Sequence, residues 1–170
     1  MDLYIFRHGD TVDTDELKLK IIIRGLGRKN DTRSLQILPK GIPALEKIGS
    51  YLKNIKTDSN FCSPYLRCVN SSNIVGKIAN KKYLSDERIR ELEINGEKFS
   101  SFYSRVKSFL DELKSKNLSA VSICTHGAVI AAIKHMMTGN FYFFQVLDNP
   151  SPGNLLVIKD GKLRQIDFNR

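Results

Sequence analysis

Residues 2–11 read DLYIFRHGDT. The first five, Asp2 to Phe6, form a short apolar run with β-branched and aromatic members, which predicts a strand. It runs directly into Arg7-His8-Gly9-Asp10-Thr11, so a cation and an imidazole stand at the strand's C-terminal end. Farther along, Ala120 to Cys124 is a continuous apolar run, as a central parallel strand requires. It turns at Thr125-His126-Gly127 into a helix that Gly139 closes as C-cap. Both of these histidines, two of the chain's three, precede a glycine, whose missing Cβ lets the backbone approach a ligand closely.

The intervening chain completes an alternation of strands and helices. Residues 12–38 are poorly patterned and carry Gly25 and Gly27. From Pro39 to Lys56, the residues Ile42, Leu45, Ile48, Leu52 and Ile55 step by three or four, one face of a helix. A strand over Asn60–Cys62 ends at Ser63-Pro64, with Ser63 placed to cap the next helix and Pro64 at its first position. Leu66, Val69, Val75 and Ile78 are that helix's expected buried side. A third strand is expected over Lys82–Leu84, then an irregular charged segment over 85–97. Phe99, Phe102, Val106, Phe109, Leu110 and Leu113 mark an amphipathic helix ending near Asn117. At the C-terminal end, Asn154–Ile158 and Lys162–Phe168 flank Asp160-Gly161, a hairpin signal. The pattern predicts an α/β fold: a three-layer α/β/α sandwich on a mostly parallel sheet, with an antiparallel edge from the C-terminal hairpin.

With 170 residues, 41% of them hydrophobic and 26% charged, the expectation is one globular domain over 1–170. Apolar runs fall far short of the roughly 20 residues that span a bilayer, which excludes a membrane protein of that kind. Met1-Asp2 followed by a strand-like run does not read as a secretory signal. The three cysteines, Cys62, Cys68 and Cys124, make neither a disulfide framework nor a zinc pattern, so an intracellular, cytoplasmic home is expected. The formal charge of +9 implies anionic partners. Its densest stretch, Leu17 to Lys40, carries Lys18, Lys20, Arg24, Arg28, Lys29, Arg33 and Lys40 against Asp31 alone.

Ligands of open α/β sheets bind outside the carboxyl ends of the strands, where His8 and His126 fall. Arg67 follows another strand end, and Arg7 adjoins His8. Two guanidiniums and two imidazoles at one rim suit a phosphoryl group, because the planar guanidinium fork makes paired charge-assisted bonds to its oxygens. A cysteine nucleophile fits less well. Cys62 and Arg67 are separated by four residues, one fewer than the C-x₅-R loop of cysteine phosphatases. His135, near a helix C-terminus, reads as structural.

These residues carry a resemblance. Arg7-His8-Gly9-Asp10-Thr11 resembles the RHG-x-T motif of the histidine phosphatase superfamily, the phosphoglycerate mutase-like proteins. Residues 38–44 (LPKGIPA) are similar to its L-T-x-x-G-x-x-Q-A helix start, and residues 63–68 (SPYLRC) to its S-P-x-x-R-A. Thr125-His126-Gly127 is similar to its second histidine motif, and 149–158 to its late N-x-x-I strand.

The resemblance implies a phosphoglycerate mutase-like fold and a metal-independent, cofactor-free phosphatase. In it His8 is the nucleophile, while Arg7, Arg67 and His126 bind the phosphoryl oxygens. The family places a proton donor in an L-x-E pattern after the third strand; Ile89-Arg90-Glu91 fits this best and makes Glu91 the candidate, with Glu93 its rival. Thr11, Thr14, Gly127 and Arg24 join the candidate phosphate- and substrate-binding residues. Thr14 stands where the family often has an asparagine. Arg28, Lys29 and Arg33 are further candidates for the rest of an anionic substrate. Between Glu91 and His126 there is no room for the family's long cap insertion, which favours a hydrolase over a mutase.

The expected partner is a small phosphorylated metabolite or a phosphoprotein. A homodimer is compatible with this; a membrane is not, and nucleic acid is disfavoured because residues 17–40 lack interleaved Tyr or Phe. Two alternative enzymes are a protein phosphohistidine phosphatase and a phosphoglycerate mutase-type phosphotransferase. An alternative of another class is a non-catalytic basic module that holds nucleic acid or another polyanion.

Overall fold

In the computed structural model, which describes residues 1–12, 33–93, 96–139 and 150–170, the first apolar run is strand β1 (Asp2–Arg7). It lies parallel to β4 (Ala120–Thr125), with Asp2 opposite Ala120 and Arg7 opposite Thr125, so the two histidine-bearing exits are neighbours. Beyond β4 lies β2 (Ser59–Cys62), then β3 (Leu84–Ser85), both parallel to their neighbours. On the other side of β1, β5 (Asn154–Lys159) and β6 (Lys162–Asp167) run antiparallel. The sheet order is β3-β2-β4-β1-β5-β6. Asp160 and Gly161 both take positive φ, 50° and 71°, as the tight hairpin turn demands.

Strand alternation divides the core in two. Leu3, Ile5, Val121, Ile123, Leu156 and Ile158 face α3 (Phe99–Ser115) and α4 (Gly127–Thr138), packing on Phe102, Val106, Phe109, Val129 and Ile133. Tyr4, Phe6, Cys62, Cys124 and Leu155 face α1 (Ile42–Lys53) and α2 (Leu66–Ala79), packing on Leu45, Ile48, Leu52 and Val75. Each fully buried Leu, Ile or Phe contributes about 1.5–3 kcal/mol, so these two clusters fix the three-layer sandwich.

The structure moves one strand and one helix start. β3 begins at Leu84, not Lys82: the Lys82 carbonyl accepts from the Asn60 side chain at 3.3 Å, and pairing starts only where Phe61 meets Leu84. Ser63 does not cap α2, which starts at Leu66 with Tyr65 in the N-cap position and no Pro64 in its first turn. The Ser63 N–H instead prolongs the sheet by donating to the Cys124 carbonyl at 3.0 Å, which holds Ser63 outside the helix.

The buried side of α2 also differs from the apolar stripe expected. Arg67, Cys68, Ser71, Ser72, Gly76 and Ala79 are buried with Val75, whereas Leu66, Val69 and Ile78 are only half-buried. The helix turns its first half toward the carboxyl end of the sheet, where polar groups find polar partners. Its second half lies close against α1: a Cβ on Gly49 would stand 2.9 Å from Ile78 Cβ.

Among the described residues, no helix is long and apolar enough to cross a membrane.

Candidate active site

Three backbone bonds continue the sheet past its strands at one end. His8 N–H donates to Thr125 O at 3.1 Å, Ser63 to Cys124 O at 3.0 Å, and Asp86 to Cys62 O at 3.0 Å. The exits of β1, β4, β2 and β3 are thereby aligned, and they deliver His8, His126, Arg67 and Glu91. The Glu91 segment follows a short 3₁₀ turn, Glu87–Ile89, whose Asp86 side chain accepts from Arg88 N–H at 2.9 Å. Thr125 Oγ1 donates to Ile89 O at 2.7 Å, tying this segment to the end of β4.

Arg67 joins the two imidazoles. Its Nε lies 3.1 Å from His8 Nε2 and its Nη2 3.0 Å from His126 Nδ1, with all three side chains buried. A guanidinium only donates, so both contacted ring nitrogens are acceptors. The proton of His8 is then on Nδ1, which donates to Gly9 O at 2.8 Å, leaving the Nε2 lone pair directed into the site. The proton of His126 is on Nε2, which donates to Ser63 Oγ at 2.6 Å. The rings stand edge to face, 5.2 Å between centroids. Burial first, then the Arg67 charge, hold the His126 imidazole well below its ordinary pKa, so it is neutral without a ligand.

Glu91 reaches this cluster. Its Oε2 lies 3.4 Å from His126 Nδ1 and 3.7 Å from Arg67 Nη2, while Oε1 accepts from Leu92 N–H at 3.3 Å. Glu93 points elsewhere: its Oε1 accepts from Tyr65 Oη at 2.8 Å and Arg33 Nη2 at 2.9 Å. These bonds, Arg33's foremost, hold the Glu93 carboxyl below the usual carboxylate range.

Arg7 borders the group. Its Nη1 donates to Pro150 O at 3.3 Å, and its charge acts on Glu91, Arg67 and His126. Thr11 is buried in the loop after His8, and Gly127 is the buried first residue of α4. Arg33 lies over the Tyr65 ring. Thr14, Arg24, Arg28 and Lys29 lie outside the described residues, as does Asn149. His135 contacts the Tyr103 ring edge-on, away from the cluster.

Several site residues escaped the sequence reading. Ser63 holds His126, and Ser71 Oγ accepts from Gly9 N–H at 2.9 Å while donating to Arg67 O at 2.6 Å. The Tyr65 ring stands 5.1 Å from His126 and 4.9 Å from the Arg67 guanidinium carbon. Cys68 Sγ lies 3.5 Å from His126 Nε2. Only the position of Ser63 and Tyr65 inside the S-P-x-x-R motif hints at this; a serine such as Ser71 within a helix carries no such signal.

His8, Glu91 and His126 offer ligand atoms within 4.8 Å of one another, a spacing that a metal ion accepts. The Arg67 guanidinium, bonded to both imidazoles, sets positive charge among them. That charge suits a tetrahedral oxyanion better than a cation.

Comparison with known proteins agrees with this chemistry. The family model described as histidine phosphatase superfamily (branch 1) matches residues 3–95 and 93–145. No curated protein matches the chain. Among solved structures, the α-ribazole phosphatase of Shigella flexneri is similar with TM-score 0.75 at 16% identity, over 100% of this chain and 96% of that one. The protein histidine phosphatase SixA in complex with tungstate is similar with TM-score 0.69 at 14% identity, over 99% and 97%. A phosphoglycerate mutase of Bacillus anthracis is similar with TM-score 0.66 at 17% identity, over 99% and 92%.

Proposed function

The chain belongs to branch 1 of the histidine phosphatase superfamily and is by that membership a phosphatase; from this premise we propose that it hydrolyses a phosphomonoester in two steps through a phosphohistidine on His8. The observation that carries the reading is the pair of contacts on one imidazole. Nδ1–H is held by Gly9 O, and Nε2 keeps its lone pair toward Arg67. A neutral imidazole oriented in this way attacks phosphorus without a strong base.

In the first step, the Nε2–P bond forms as the ester P–O bond breaks, and Glu91 gives its proton to the departing oxygen. In the second, Glu91 as carboxylate takes a proton from water as its oxygen bonds phosphorus. The N–P bond then breaks, its electron pair returns to Nε2, and inorganic phosphate leaves. Arg67 exchanges its imidazole contacts for phosphoryl oxygens and, with Arg7 and His126, carries the charge of the in-line transition state. The arriving anion opposes the positive neighbours of His126 and favours its protonated, donating form.

Between Glu91 and His126 the described chain builds α3 and β4, elements of the sandwich itself. This supports a site open to water, hence hydrolysis rather than transfer within a closed pocket. The substrate class is a small phosphorylated metabolite or a phosphoprotein.

The test is turnover of p-nitrophenyl phosphate in the presence of a chelator by wild type and His8→Ala, with alkali-quenched wild type analysed by mass for bound phosphate. Chelator-resistant turnover, lost in His8→Ala, together with an alkali-stable phosphoenzyme is expected. Turnover that survives His8→Ala ends the covalent reading.

A further inference from the structure

We propose that Arg105, on α3, is a positioning residue that sets Glu91 for proton transfer. The inference rests on the reading of Glu91 as proton donor. Glu91 lies on a segment without strand or helix, where a carboxylate is placed only as well as its backbone is held. Arg105 holds that backbone. Its Nη1 donates to Arg88 O at 2.7 Å and to Arg90 O at 2.8 Å, and its Nη2 to Glu91 O at 3.1 Å. Its Nε and Nη2 also donate to the two oxygens of Glu97, at 2.7 and 2.8 Å.

These five bonds use all five N–H donors of a guanidinium. The side chain is only 13% exposed, its Glu97 partner 8%, and it projects from a helix packed on the core. Three carbonyls within four residues, one in the 3₁₀ turn and two in the irregular stretch after it, are thus fastened to a rigid element. Thr125 Oγ1 on Ile89 O adds a fourth fastening, at the base of the second histidine motif. A lysine has the charge but only three donors on one nitrogen, which cannot span the same carbonyls. A displacement of about 1 Å at a catalytic group costs on the order of a hundredfold in rate, so loss of this grip is felt at Glu91 Oε2.

The test separates positioning from bulk stability by leaving group. The parameter kcat/KM counts steps through departure of the alcohol. Nitrophenolate leaves with little help from an acid, whereas an alkoxide needs the proton. The readout is the ratio of kcat/KM for p-nitrophenyl phosphate to that for glycerol 2-phosphate, in wild type, Arg105→Lys, Glu97→Gln and Glu91→Gln. Glu91→Gln raises the ratio by about tenfold or more. Arg105→Lys raises it in the same sense, and so does Glu97→Gln, which frees one side of the Arg105 guanidinium and also releases Arg90, a second donor to Glu97. A ratio unchanged in both Arg105→Lys and Glu97→Gln, while Glu91→Gln raises it, overturns the role of Arg105 and leaves Glu91 the donor. An unchanged ratio in Glu91→Gln overturns the proton-donor reading itself. Should Arg105→Lys fail to fold, the ratio in Arg105→Gln decides in its place: raised supports the proposal, unchanged sinks it.

Discussion

The Tyr65 hydroxyl donates to Glu93 Oε1 at 2.8 Å, while the ring of the same residue stands 5.1 Å from the His126 ring and 4.9 Å from the Arg67 guanidinium carbon. Two acids separated by one residue are therefore given different neighbours. Glu93 is tied to Tyr65 and Arg33 at the rim, and Glu91 turns its Oε2 to His126.

The two carboxylates should differ sharply on mutation. Glu91→Gln should lower kcat on an alkyl phosphate by about 10²–10⁴, the usual worth of general acid–base help. Glu93→Gln should lower it less than about tenfold, because its carboxylate is already committed. Steady-state kinetics of both variants checks this, and a larger loss in Glu93→Gln would reverse the assignment.

Arg67 touches both imidazoles through different nitrogens, a span that needs the guanidinium fork. Arg67→Ala should cost on the order of 10²–10³ in kcat/KM, comparable with removing one oxyanion donor. Arg67→Lys should recover less than about a tenth of the loss, since one ammonium cannot take both positions. Recovery to near wild-type kcat/KM would show that charge alone suffices.

Stability should fall as the solution is acidified through about 6.5, the ordinary histidine value, because burial and Arg67 hold the folded His126 well below it. Between the two values the unfolded chain binds the proton and the folded chain does not, so folding free energy drops by up to about 1.4 kcal/mol per pH unit. Chemical denaturation from pH 7.5 to 5 measures the slope, and His126→Gln should flatten it. Saturating inorganic phosphate, the product of the proposed reaction, should flatten it too, by favouring the protonated imidazole in the folded state. A slope unchanged in His126→Gln would place the titrating group elsewhere.

Gly49→Ala should destabilise the protein by about 1 kcal/mol or more. The new methyl would meet Ile78 Cβ at 2.9 Å and Val75 O at 3.1 Å, neither the free end of a flexible chain. Overpacking costs typically about 1–3 kcal/mol, which exceeds the helix-propensity gain of roughly 0.5–1. Thermal melting checks the sign.

Much of the fold was legible along the chain. Val106, Phe109, Leu110 and Leu113 repeat at helical spacing and are all buried against the sheet, as the pattern predicted. The strand over 82–84 was misplaced because β3 is exposed on both residues and so leaves no alternating apolar mark. The stripe expected on α2 failed for a related reason. The buried positions of its first half face the site, where Arg67 and Ser71 are satisfied by hydrogen bonds rather than by apolar contact.

Periodicity and turn chemistry are properties of chain neighbours, so the sequence by itself determined the order of strands and helices and set His8, Arg67 and His126 at strand exits. It left Glu91 and Glu93 as rivals, since two acids one residue apart look alike until their partners are known. Only the tertiary structure decided between their surroundings, which nitrogen of each imidazole carries the proton, and that Ser63, Ser71, Tyr65 and Arg105 support the cluster. Those outcomes depend on groups 63, 62, 28 and 14 residues apart meeting where water is scarce. No local pattern encodes such a meeting, because the energy that selects it arises only after the core has brought the partners together and removed their solvent.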